Sequence, residues 1–103
     1  MMSVLVNFAM FPTDKGTSVS DYVSKIIKMI DESNVPYKLN PMGTTYETNT
    51  MHEALDLLSK AYEILKGHDR VYCTVNFDIR NNKTNRIKTK IESIEKHIGT
   101  VSK

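Results

Sequence analysis

The clearest pattern in this chain is an alternation. Between residues 70 and 80, Val71, Cys73, Val75, Phe77 and Ile79 are apolar, while Tyr72, Thr74, Asn76, Asp78 and Arg80 are polar or amphipathic. A period of two held over this length predicts a strand with one buried face. Residues 4–11 alternate in the same way, with Val4, Val6, Phe8 and Met10 on one side and Leu5, Asn7 and Ala9 on the other. The spacing then lengthens. Val19, Tyr22, Val23, Ile26 and Ile30 recur at helical intervals behind Ser18, which with Asp21 forms an aspartate version of a capping box. That helix should fade near Ser33-Asn34, ahead of Pro36. Residues 37–40 and 44–47 read as short strands around Pro41-Met42-Gly43. Thr50 with Glu53 opens a second helix whose apolar face is Ala54, Leu55, Leu58, Ala61, Tyr62 and Leu65. Gly67 suits the position just past its end. After a loop over 81–84, a last helix spans roughly 85–98 and stops at Gly99.

The order is β-α-β-β-α-β followed by one more helix. It predicts an α+β domain over residues 1–103, a ferredoxin-like sandwich with an extra C-terminal helix. Two helices cover one face of such a sheet. The other should carry Leu5, Asn7 and Ala9, then Thr45 and Glu47 in preference to Thr44 and Tyr46, then Tyr72, Thr74, Asn76 and Asp78. Hydroxyls, amides, carboxylates and aromatic area are mixed there. Such a face suits a subunit interface holding a polar ligand pocket, and the plainer alternative is a wet sheet face. The reading depends on the even-numbered side chains 72–78 lying against a second copy of the chain. Gly43-Thr44-Thr45 adds turn donors and hydroxyls, although an ordinary turn explains them equally well. In the last helix, Ile87, Ile91, Ile94, Ile98 and Val101 make a narrow heptad-like seam. It packs either on its own domain or on a partner subunit.

Composition narrows the chemistry. The 103 residues are 40% hydrophobic and 25% charged, values of an ordinary globular domain. A net charge of +2 is too mild to imply nucleic acid by itself. The basic run Arg80, Lys83, Arg86, Lys88 and Lys90 reads as a solvated loop and helix face. The first strand's open side, with Leu5, Asn7 and Ala9, shows no aromatic for base stacking. Cys73 is the only cysteine and falls in the apolar row, so it is expected to be a small core residue. No signal peptide or membrane span is visible, and a reducing, cytoplasmic setting is expected. His52, His68 and His97 share no metal-ligand spacing. No nucleophile–base pair or phosphate loop is legible, so neither metal, cofactor nor catalysis is expected.

Several segments together resemble one family. They are Ser18-x-Ser20-x-Tyr22-Val23, Leu39-x-Pro41-Met42-Gly43-Thr44-x-x-Glu47, Arg70-Val71, Asp78-x-Arg80 with Lys83, and Ser93-Ile94-Glu95-Lys96. They are similar to the thiamine-binding-protein family, also called the MTH1187/YkoF-like or UPF0045 family. The Pro-Met-Gly-Thr-x-x-Glu segment is the most specific. The resemblance implies a ferredoxin-like fold, dimers that stack sheet on sheet and commonly tetramers. It also implies binding of thiamine or its hydroxymethylpyrimidine portion without established catalysis. The chain departs from the family pattern at Thr48, where glycine is common, and at Asn76-Phe77-Asp78, where Lys-Ile-Asp is frequent. The expected ligand-binding set is Asn7, Thr44, Thr45, Glu47, Tyr72, Thr74, Asp78 and Arg80. The alternative is a structural or regulatory homo-oligomer with no small-molecule ligand.

Overall fold

The computed structural model describes residues 2–14 and 19–102. The elements are β1 (Met2–Pro12), α1 (Ser20–Glu32), β2 (Tyr37–Asn40), β3 (Gly43–Thr48), α2 (Met51–Leu65), β4 (Val71–Asn81) and α3 (Arg86–Ile98). The strands form one sheet in the order β2-β3-β1-β4, antiparallel throughout. This is the ferredoxin-like arrangement with an added C-terminal helix. It follows from two β-α-β units whose first strands lie side by side.

The local signals explain most boundaries. Thr50 caps α2, its hydroxyl accepting from the Glu53 backbone N–H at 3.1 Å. Asn34 closes the α1 end at φ 59°, a left-handed position that asparagine tolerates. The Ser18 half of the first capping box lies outside the described residues. Val19 precedes α1 and makes no side-chain capping bond, so the helix starts at Ser20.

Val4, Val6, Phe8 and Met10 of β1 meet Ile26 and Ile30 of α1, Tyr46 of β3, and Ala54, Leu57, Ala61 and Leu65 of α2. Tyr46 is wholly buried, edge-on to Phe8, and donates its hydroxyl to the Ala54 carbonyl at 2.7 Å. That bond meets the need of a buried phenol and pins β3 to α2. The buried stripe of α2 is rotated from the expected one. Leu57 belongs to it, whereas Leu55 and Tyr62 are about half exposed.

The outer strand departs further from expectation. α1 and α2 lie mainly over β1 and β3, at the middle of the sheet, and cover the edge strand β4 only in part. The apolar row of β4 is therefore only partly core: Val71 and Phe77 are half-buried against it, and the others are not. Val75 is 37% and Ile79 49% exposed, and Cys73 is exposed rather than buried. Alternation correctly predicts a strand here, but whether its apolar side is covered depends on where the helices lie.

The first part of the α3 seam packs on its own domain. α3 folds across the sheet face opposite α1 and α2, touching β1 and β3. Ile87 and Ile91 line a cleft with Leu5, while Ile94 and Ile98 remain exposed. That sheet face is accordingly half covered by the chain's own helix.

Candidate functional site

Four features lie around the β1–β3 pair. The first is the anchorage of α3. Leu5 has Glu47 on one side and Asp78 on the other in the strand register. Glu47 is 6% exposed and its carboxylate accepts from the Ser3 hydroxyl at 2.5 Å. It also accepts from the backbone N–H of Arg86 at 2.9 Å and of Ile87 at 3.2 Å. These are unpaired donors of the first turn of α3, so a carboxylate from a distant strand caps the helix and meets its positive end. Burial works against ionisation of Glu47; the Arg86 N–H, the Ser3 hydroxyl, the Ile87 N–H and the Arg86 charge outweigh it. The carboxyl is held below its usual range.

Arg86 completes this anchor and is itself 4% exposed. Its Nε donates to the Ser3 hydroxyl at 2.9 Å and its Nη2 to the Ser3 and Asp78 carbonyls. Its Nη1 lies 2.9 Å from the Asp78 carboxylate, which also accepts from Lys90 at 2.8 Å. The Lys90 hydrogen bond lowers the Asp78 pKa most, with burial opposing it and Arg86 adding to the lowering. The buried guanidinium is thus fully partnered, as a buried charge must be. The basic run is therefore not wholly a solvated face, because Arg86 turns inward. Its periodicity carries no sign of this, and the nearest signal is a motif glutamate in need of donors.

The second feature is a polar rung. In register across all four strands stand Lys38, Thr45, Asn7 and Asn76. The Thr45 hydroxyl donates to Asn7 Oδ1 at 3.2 Å. Lys38 and Thr45 of the rung, with Leu5, Ile87 and Ile91, line a cleft of about 490 Å³. The third feature is an aromatic pair that the sequence reading omitted. Phe11 continues the row Leu5-Asn7-Ala9 and meets Tyr72 with ring centroids 5.9 Å apart.

The fourth is a slot on the helix side, about 290 Å³, between β1, α1 and the β2–β3 turn. Phe8, Met10, Val23, Ile26 and Ile27 contribute its apolar surroundings, and Pro41, Met42, Gly43 and Thr44 its rim and wall. Gly43 lets the turn approach β1 closely, since a Cβ there would stand 3.1 Å from the Phe8 carbonyl oxygen.

The eight expected site residues fall into separate groups. Asn7 and Thr45 touch each other. Glu47 and Asp78 sit together but are spent on α3. Tyr72 and Thr74 lie further along the exposed edge strand, and Arg80 is exposed opposite Ser3. Thr44 points to the other face, into the slot, because it pairs with Phe8.

This plan, a ferredoxin-like sheet with two helices on one face and a C-terminal helix across the other, defines a class of small α+β domains. Within it the chain belongs to the thiamine-binding protein family, whose profile matches residues 6–95. A UPF0045 protein of Methanothermobacter thermautotrophicus is 32% identical over 80% of this chain and 85% of its own length. The MJ1052 protein of Methanocaldococcus jannaschii is 33% identical over 91% of this chain and 94% of its own. Its crystal structure superposes with a TM-score of 0.79, covering 91% of this chain and 97% of that one. The Thermotoga maritima protein TM0486, proposed for thiamine biosynthesis or salvage, has the same fold. There the TM-score is 0.75 at 17% identity, with 89% of this chain and 98% of that one covered.

Proposed function

We propose that this protein binds thiamine or, in preference, its hydroxymethylpyrimidine portion, without catalysing a reaction. One observation carries the reading: the segment most specific to the thiamine-binding family, Pro41-Met42-Gly43-Thr44, forms the rim of the helix-side slot. About 300 Å³ is the lower end of small-molecule sites and suits a single substituted ring. Phe8, Met10 and Ile27 supply apolar contact for the ring faces. Thr44 and the turn backbone supply polar contact for an aminopyrimidine edge. No carboxylate lines the slot among the described residues, so a thiazolium cation would be desolvated without compensation there. That asymmetry favours the neutral pyrimidine over whole thiamine.

A second location is supported by the hydrogen-bonded Asn7–Thr45 pair beside the α3 cleft. A ligand there would meet Lys38 and, from a second copy of the chain, whatever covers Tyr72, Thr74 and Arg80. Isothermal titration decides between the two. Saturable binding of hydroxymethylpyrimidine, weaker binding of thiamine and none of the thiazole alone are expected. Ile27→Phe should fill the slot and abolish binding while the fold persists. If Ile27→Phe binds normally and Asn7→Ala with Thr45→Val does not, the ligand belongs to the open face. If none of the three compounds binds at millimolar concentration, the ligand reading falls and a structural oligomer is left.

A further inference from the structure

The cleft between α3 and the β2–β3 hairpin is lined by one sign of charge. Its lining includes Lys38 from β2 and Arg86 and Lys90 from α3, and no carboxylate among the described residues. Two of these cations are already answered. Arg86 commits its guanidinium to Ser3 and Asp78, and the Lys90 ammonium gives one of its three N–H groups to Asp78. Lys38 is not answered: no acidic group lies within ion-pair distance of its ammonium among the described residues. Asp78 and Glu47 balance Arg86 and Lys90, so the charge of Lys38 is left over. A lysine on a short edge strand is by itself an ordinary guard against strand pairing. Lys38 differs in its surroundings. Asn40 comes to the cleft from the same strand, and Ser102 from beyond α3, so polar groups reach it from both sides. The space they border is about 490 Å³, with Leu5, Ile87 and Ile91 as apolar surface.

We propose that this cleft binds a small phosphate monoester with an apolar body, the phosphate held by Lys38 and Lys90 and the body resting on Leu5, Ile87 and Ile91. The site is separate from the helix-side slot and independent of what the slot binds. A phosphate monoester carries about two negative charges near neutral pH. Its terminal oxygens point apart, so ammonium groups on two walls can each meet it as a point charge. A planar carboxylate is matched best by the fork of a guanidinium, and the one guanidinium of the lining is held by Asp78 and Ser3. The apolar surface favours a ligand with a body over inorganic phosphate alone.

Phenyl phosphate is the probe, because it joins an apolar ring to a phosphate and has no aminopyrimidine edge. Titration calorimetry at low salt should show saturable binding below millimolar concentration, and the affinity should fall as salt is added. Inorganic phosphate and benzoate should bind at least about tenfold more weakly, and phenol not at all. Lys38 is exposed, so Lys38→Gln leaves the fold intact, which circular dichroism checks. It should weaken phenyl phosphate about tenfold, whereas Lys38→Arg should retain it. In amide NMR spectra the probe should shift residues 38–40 and 87–91 and leave residues 23–27 of α1 unmoved. Ile27→Phe should leave phenyl phosphate affinity unchanged even where it abolishes pyrimidine binding, so the two sites fail separately. A probe that does not bind at millimolar concentration, binds Lys38→Gln as tightly, or shifts the slot amides instead would overturn the site. Benzoate binding as tightly as phenyl phosphate would overturn the choice of phosphate.

Discussion

Glu47 and Arg86 are each buried and each satisfied by several partners. Removing one of them leaves the other's groups desolvated and unpaired, which is costlier than the bond itself is worth. Arg86→Met is expected to cost about 3–5 kcal/mol, measured by urea unfolding. Glu47→Gln keeps the shape but loses charge-assisted bonds, for about 2 kcal/mol. The pH dependence follows. The native pKa of Glu47 is depressed, so its contribution is fully present above the ordinary glutamate range. It is lost as pH falls through that range toward the native value. Stability measured across the acid limb should be flatter in Glu47→Gln than in the native protein. An equal slope would mean that other carboxylates carry the acid sensitivity. Gly43→Ala tests the close approach of the turn to β1. With only 3.1 Å to a backbone oxygen, strand or turn must yield, at about 1 kcal/mol in stability and with a measurable loss of pyrimidine affinity. At this scale the sequence showed Glu47 as part of a motif but not its employment. Arg86 was invisible, because a buried arginine in a basic run looks like its solvated neighbours until the fold brings Ser3 and Asp78 beside it.

At the scale of elements, periodicity identified every strand and helix and placed Tyr46 in the core and Glu47 on the opposite sheet face, where α3 buries it. It fared less well at faces that need a third partner. The row from Val71 to Ile79 has the period of a core strand, yet coverage depends on helices that sit over β1 and β3. The isoleucine seam of α3 is a similar case. Its first two members line the cleft beside the sheet, Ile94 and Ile98 are exposed, and Val101 is half-buried. Ile87→Ala should therefore cost about 1–2 kcal/mol, whereas Ile98→Ala should change stability by less than about 0.5 kcal/mol in the single copy. Paired thermal melts of the two variants check this. Equal losses would mean that the outer seam is packed as well.

For the whole molecule, linkage supplies the sharpest measurement. A ligand that binds only the folded chain raises its unfolding free energy by about 2.7 kcal/mol at one hundred times its dissociation constant. Urea titrations with saturating hydroxymethylpyrimidine should show that rise, and titrations with the thiazole should not. A rise of the same size in Ile27→Phe would move the ligand out of the slot. The fold was readable as a whole because each element carries its own period and α2 its own start as well. The site was not, because its walls come from elements far apart in the chain. The segment Pro41–Thr44 stood out as the most specific, but whether it served the helix side or the open side depended on a turn that borders both cavities.

The way α3 begins has a consequence for assembly. Asn85, just ahead of it, sits at φ 56° and gives no capping bond, and the amides of Arg86 and Ile87 are met by a carboxylate some forty positions earlier. Nothing nearby in the sequence starts this helix, so residues 83–102 excised as a peptide should be coil. In the ribosome-bound chain they would wait for a finished sheet. Proton exchange at those two amides then reports the opening of β3 rather than the fraying of a helix end.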